Sequence, residues 1–259
     1  MKRISYILLA MLFLVLACET ENTTENTGYR FPLDYGNFWK YVRIQNITDI
    51  NPAFSERNIT DTVYIDTILV SAYEYNHPVS GAPAIKVTHF NADSSRGVFD
   101  FYSHTSEGLF CDHGGTTPDL NTMLLFPYKY ENYMNVSILT GFPKSAKNFD
   151  FVEKTLIYPL EVGTRWETNA SGEVIKEVVA QENITINGIS SNAYKIEYTY
   201  TEDSKATTTE YVSEIGLLKR ERIIPNIEIK DPHPLAVPYI ANYHETWEII
   251  EYDFSSGSE

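Results

Sequence analysis

The chain reads as an all-β protein, an antiparallel curved open sheet or incomplete barrel built from a duplicated module. Three observations predict this. Apolar and polar residues alternate with period two through most of the second half, as in Ala193-Tyr194-Lys195-Ile196-Glu197-Tyr198-Thr199-Tyr200, the pattern of a strand with one face buried. Clusters of turn-forming residues separate such runs, for example Asn91 to Gly97 and Glu202 to Lys205. One string near the start recurs in the middle of the chain. The 19 Tyr and 13 Phe fit this class, because aromatic side chains pack well on pleated surfaces.

Residues 1–17 form a leader. Met1, Lys2 and Arg3 precede an apolar stretch from Ile4 to Ala17. A membrane span needs ~20 helical residues, so this stretch is too short to cross a bilayer and has the size of a signal-peptide core. It ends in Val15-Leu16-Ala17-Cys18, which resembles the lipobox of bacterial lipoproteins. Val15 stands where Leu is commoner. The resemblance implies cleavage between Ala17 and Cys18 and a lipid on the Cys18 thiol. The protein is then expected in the cell envelope, held on a membrane through that lipid. The absence of Asp after Cys18 points to the outer membrane of a Gram-negative cell. Residues 18–28, starting Cys-Glu-Thr-Glu-Asn-Thr-Thr-Glu, are polar and cannot bury anything. They read as a flexible tether.

Loss of Lys2 and Arg3 with the leader takes the formal charge from −15 to −17. So acidic a chain is not expected to bind nucleic acid. With Cys18 committed to lipid, Cys111 is the one cysteine left, and it reads as a small buried hydrophobe.

Residues 29–154 read as the first module, 155–254 as the second and 255–259 as a tail. Phe31-Pro32-Leu33-Asp34-Tyr35-Gly36-Asn37-Phe38-Trp39 recurs as Tyr158-Pro159-Leu160-Glu161-Val162-Gly163-Thr164-Arg165-Trp166. A degenerate third copy stands at 126–134. Pro32 and Pro159 favour an extended lead-in, Gly36 and Gly163 permit a tight turn, and Trp39 and Trp166 read as core anchors. Further matches follow in order: Gly81 to Val87 with Gly188 to Ile196, then Ser106-Glu107-Gly108-Leu109 with Ser213-Glu214-Ile215-Gly216-Leu217. Strands are expected at 62–70, 84–90, 97–103, 173–181, 193–201, 207–213, 216–224 and 243–254, with Asn187-Gly188 as a two-residue hairpin turn. No helix of three turns is apparent, and Leu120 to Lys154 is the least legible stretch. The Pro-Leu-x-x-Gly-x-x-Trp string, with Glu-Gly-Leu near the module's end, resembles a broad group of bacterial envelope lipoproteins. Their antiparallel sheets are similar to the curved half-barrel of LolA-type carriers. That resemblance implies a fold and brings no catalytic residues.

No motif for catalysis, cofactor or metal emerges. Cys111-Asp112-His113 runs into Gly114-Gly115 and has no second ligand cluster to complete a metal site. His244-Glu245-Thr246-Trp247-Glu248 resembles the His-Glu-x-x-His of zinc proteases but lacks the second His and alternates like a strand, whereas that motif needs a helix. Asn91-x-Asp93-x-Ser95 is similar to a calcium loop, yet Arg96 and Tyr102 stand where Gly and Glu are required. Asp61-Thr62-Val63 and Asp66-Thr67-Ile68 match a bacterial O-glycosylation acceptor pattern. The expected function is therefore non-enzymatic: a membrane-anchored binding or assembly module, whose partner is a protein, a glycan or an apolar ligand. A carrier of lipid in a half-barrel and an envelope hydrolase using acidic residues are the two alternatives.

Overall fold

The computed structural model describes residues 28–51, 62–76, 83–91, 97–112, 152–168, 174–201, 205–229 and 239–254. The leader, residues 18–27 of the tether, the 126–134 string, Asp61, the centre of the Asn91–Gly97 turn, His113 and the 255–259 tail lie outside them. The described residues hold twelve strands and no helix: β1 (Phe38–Asn51), β2 (Thr62–Asn76), β3 (Pro83–Asn91), β4 (Gly97–His104), β5 (Gly108–Asp112), β6 (Val152–Ile157), β7 (Arg165–Glu167), β8 (Val174–Ile186), β9 (Ile189–Tyr200), β10 (Thr207–Ser213), β11 (Gly216–Ile229) and β12 (Tyr239–Asp253).

Apart from β6 and β7, every strand pairs antiparallel with its neighbours in sequence, and β1 also pairs with β12. The result is one sheet in the order β6-β5-β4-β3-β2-β1-β12-β11-β10-β9-β8-β7. The ends of this order, β6 and β7, are consecutive in the chain. They come together without a ladder: the Lys154 amide donates to the Thr168 carbonyl at 2.7 Å, and Trp166 Nε1 donates to the Lys154 carbonyl at 3.1 Å. The sheet is thus nearly closed and barrel-like, with one unsealed seam.

The two copies of the Pro-Leu string fold alike. In each, the acidic residue's carbonyl accepts from an amide three residues on, Asn37 at 3.2 Å and Thr164 at 2.9 Å. Gly36 (φ 85) and Gly163 (φ 92) occupy the third position of these turns, where a type II turn demands positive φ. Each glycine amide then reaches a second strand, Gly36 to the Ala72 carbonyl in β2 and Gly163 to the Val178 carbonyl in β8. The chain enters β1 and β7 from these turns. The other matches fall in step: one pair at β3 and β9, the other at the openings of β5 and β11. The repeat is therefore six strands against six, β1–β6 and β7–β12.

An up-and-down order puts alternate connections at opposite ends. At one end lie the lead-in before β1, the connections β2–β3, β4–β5, β8–β9 and β10–β11, and the β6–β7 segment. This end is closed. Phe31 and Leu33 of the lead-in and Leu160 of its second copy are buried in the core. The β8–β9 hairpin reaches across to β12, where Asn187 Nδ2 donates to the Ile249 carbonyl at 3.0 Å. Asn187 (φ 50) and Gly188 (φ 84) both have positive φ, as a type I′ turn requires. At the opposite rim, β11 carries Pro225, which cannot donate to a ladder, and the register shifts between Ile224 and Ile227. A second shift falls between Thr48 and Asn51 of β1. Asn242 of β12 joins both irregularities, donating from Nδ2 to Asp49 at 2.7 Å and accepting at Oδ1 from the Asn226 amide at 3.0 Å. Bulges of this kind bend strands and increase twist, which helps a long sheet curl.

Candidate functional site

The inside of the barrel changes character along its axis. Near the closed end it is apolar, with Trp39, Tyr41, Leu109, Leu156, Trp166 and Leu218 buried. Further along it becomes charged. Six charged side chains are buried among the described residues: Arg43, Lys176, Glu210, Arg220, Arg222 and Glu245.

Register explains how they meet. Reading across the paired strands from β1 to β8, one row runs Arg43, Trp247, Arg220, Glu210, Ile196, Val178. The next runs Gln45, Glu245, Arg222, Thr208, Tyr198, Lys176. In the first row the Trp247 ring lies between two guanidinium groups, each with its Cζ 5.7 Å from the ring centroid. Arg220 Nε donates to Glu210 Oε1 at 2.7 Å. Tyr198 OH, from the second row, donates to Glu210 Oε2 at 2.6 Å, and Lys176 Nζ lies 4.0 Å from that same oxygen and 4.4 Å from the centre of the Tyr198 ring. Glu245 Oε2 accepts from Tyr243 OH at 2.9 Å and Gln45 Nε2 at 3.3 Å, with Arg222 Nη1 3.9 Å from its other oxygen.

This belt fixes the charge state of its acids. Burial by itself raises the Glu210 carboxyl, but Arg220 and Lys176 more than offset it and leave its pKa below the ordinary value. Burial likewise raises Glu245, and Arg222 and Arg43 reverse the sign. Both carboxylates are therefore ionised near neutral pH, bonded through both oxygens or flanked by cations. A general acid or base needs a pKa near the working pH, and neither group has one. Burying such charges carries a desolvation cost of several kcal/mol per ion, so the bonds compensate burial more than they add stability.

The residues expected from the sequence sit mostly elsewhere. Trp39 and Trp166 are both buried, and their Nε1 atoms bond to the Ile215 and Lys154 carbonyls. Pro32 is half-buried, while Pro159, Gly36 and Gly163 lie on the closed end's surface. Cys111 is fully buried in β5 opposite Tyr102. His244 and Glu245 lie on a strand, as their alternation predicts, and so face opposite ways: Glu245 into the belt, His244 outward to Glu221 at 2.9 Å. Among the described residues no three His, Cys, Asp or Glu side chains gather as a metal site. Ala17 and Cys18 lie outside these residues.

The sequence reading missed the belt, although a signal was present. Arg220 and Arg222 alternate in phase with Leu218 and Ile224, Glu210 with Val212, and Lys176 with Val174 and Val178. A charge standing at the apolar phase of a strand marks a polar group turned inward.

The wall's outer face is different. Ion pairs Lys195–Glu197, Lys219–Glu248 and Lys40–Glu251 lie on it, partly or largely exposed. Exposed pairs of this kind add little stability, and the same face also exposes apolar side chains, among them Val63, Ile65 and Tyr73 of β2 and Ile223 of β11.

Compared with protein-family models, with curated proteins and with solved structures, the chain matches none.

Proposed function

We propose that this chain is a lipoprotein of the bacterial cell envelope, cut before Cys18, whose barrel-like body is a non-enzymatic binding or assembly module. The observation that carries the reading is the polarity of the barrel. The tether leads into Gly28 and Tyr29 at the closed end, beside Tyr158 and Tyr194. A lipid on Cys18 therefore attaches the body from that end and leaves the opposite rim unobstructed by the anchor. That rim carries the described irregularities at Asp49 and Asn226, both tied to Asn242, and bulges of this kind recur beside functional sites. The buried belt counts against an apolar ligand in that part of the interior, since hydrocarbon there would strip polar groups of their partners, and its acids are poorly placed for hydrolysis.

Two measurements test this. Wild-type cells should incorporate labelled palmitate into the protein and retain it in outer-membrane fractions, and the Cys18→Ser variant should lose both. Photo-crosslinking residues placed at Asp49 or Asn226, on the far rim, should give discrete adducts in the envelope, whereas residues at Asn187 or Val162 should not. Adducts confined to the closed end, or a lipid that co-purifies with the delipidated body, would overturn the binding-module reading.

A further inference from the structure

We propose that the barrel holds one internal water molecule against Thr155, at the junction of the seam, the lead-in and the charged belt. Thr155 lies in β6 and is 1% exposed. Its carbonyl accepts from Lys176 Nζ at 3.0 Å, which ties the seam strand to β8 past the short β7. Its hydroxyl Oγ1 is buried and has no protein hydrogen-bond partner. Buried hydroxyls are paired with protein or with ordered water, because an unpaired one forfeits its solvation.

A cavity of about 10 Å³ adjoins this residue. Its walls are Phe31 of the lead-in, Leu156 beside Thr155, Val212 and Leu217, and the paired Glu210 and Arg220. That volume is about one water centre. The polar groups around it suit water in particular: a hydroxyl that donates or accepts, a carboxylate that accepts and a guanidinium that donates. A water needs two to four such partners. An ion is a poor fit. Arg220 already meets Glu210 through Nε at 2.7 Å, so an added anion would face the carboxylate and an added cation the guanidinium, with apolar walls leaving no room for more ligands. Thr155 Oγ1 is the group left without a partner, and a neutral molecule with both donor and acceptor character pairs it without disturbing the Arg220–Glu210 contact.

The site joins parts that no strand ladder connects. Thr155 lies in β6 at the seam, Glu210 and Arg220 in β10 and β11, and Phe31 in the lead-in. The bound water thus bridges the seam strand to the central ion pair.

The test uses the mature chain and two variants. A high-resolution crystal structure should show water density within hydrogen-bond distance of Thr155 Oγ1 and of Glu210 or Arg220. Oxygen-17 relaxation dispersion should count one more long-lived water in wild type than in Thr155→Val, whose added methyl group has the hydroxyl's size but cannot bond. Thr155→Ser should keep the water, and it serves as the informative variant if Thr155→Val does not fold. An empty cavity in wild type, a water retained in the Thr155→Val variant, or one lost from Thr155→Ser overturns the proposal.

Discussion

Gly216 and Gly188 both sit in hairpin turns with positive φ, at 101° and 84°, yet they are constrained differently. A Cβ on Gly188 meets nothing within 4 Å. A Cβ on Gly216 falls 2.7 Å from Trp39 Nε1, the atom that donates to the neighbouring Ile215 carbonyl at 2.8 Å. Alanine at 188 therefore incurs only the left-handed backbone penalty, of the order of 1–2 kcal/mol. Alanine at 216 adds a clash inside a packed core, for a total of about 3 kcal/mol or more. Urea denaturation of Gly188→Ala and Gly216→Ala checks this. Equal losses would mean that the Trp39 contact does not constrain the turn. The same pair marks the limit of sequence reading for single residues. Asn-Gly between alternating runs announces a type I′ turn by local chemistry alone. The demand on Gly216 comes from a tryptophan at the far end of the chain, which no local pattern registers.

The lead-in before β1 is the element most exposed to pH. Its Arg30 Nε donates to His104 Nδ1 at 2.7 Å, so the neutral ring carries its proton on Nε2. The His104 ring packs edge-on against Tyr158, whose hydroxyl accepts from the Phe31 amide at 3.1 Å. Burial, then the Arg30 charge, push His104 down to about 4. The unfolded chain binds a proton at this site near pH 6.5. Between these values the unfolded state holds more protons, so stability is complete above pH 6.5 and declines as pH falls toward 4. The lowered Glu210 and Glu245 act in a separate, more acidic window, where their contribution is lost as pH drops below the ordinary carboxylate range. Tyr158 acts at the other extreme. Burial raises it to about 12, so its contribution fades as pH rises from 10 toward 12. Thermal melts of His104→Gln should therefore show a flatter slope than wild type from pH 6.5 to 4 and the same slope below it. Parallel curves would refute the role of His104.

Among elements, the strands with clean alternation in the second half were readable, and their bounds fall near those of β8 to β12. The β1 and β7 strands were legible only as the strands that follow the Gly36 and Gly163 turns, β5 only as a strand end at Cys111, and β6 was not anticipated. In β1 the inward face carries Arg43 and Gln45 between Tyr41 and Ile47, which breaks the apolar repeat that period-two reading relies on. The three residues of β7 are too few to show a period. The alternation in β9 also shifts phase. Ala193 is fully buried while Tyr194 is only half-buried against Tyr29, because the β8–β9 register slips between Val178 and Ala180 where the hairpin bends over the closed end.

At the scale of the molecule, the repeat was visible but its closure was not. The sequence matches show that a module recurs; they carry no signal that β1 and β12 pair, since that ladder joins the two ends of the described chain. The pairing decides how the protein unfolds. The halves meet along the β1–β12 ladder, which runs from Phe38–Asp253 to Asn51–Ile240, and across the seam by the few bonds around Lys154, Thr155 and Trp166. The belt also spans this junction, since Arg43 and Gln45 come from β1 and their partners from β12. Neither half can close its interior alone, and each alone would expose a long unpaired edge strand, a known route to aggregation. The modules should therefore behave as one cooperative unit although each repeats the other in sequence. Calorimetry should give a single transition with matching calorimetric and van't Hoff enthalpies. A chain cleaved between Tyr158 and Thr164, at the seam, should stay assembled through the β1–β12 ladder. Each half expressed alone should be insoluble or unfolded, and co-expression should recover the complex. Two resolved transitions, or a half that folds independently, would show that the twelve-stranded sheet is two domains in contact.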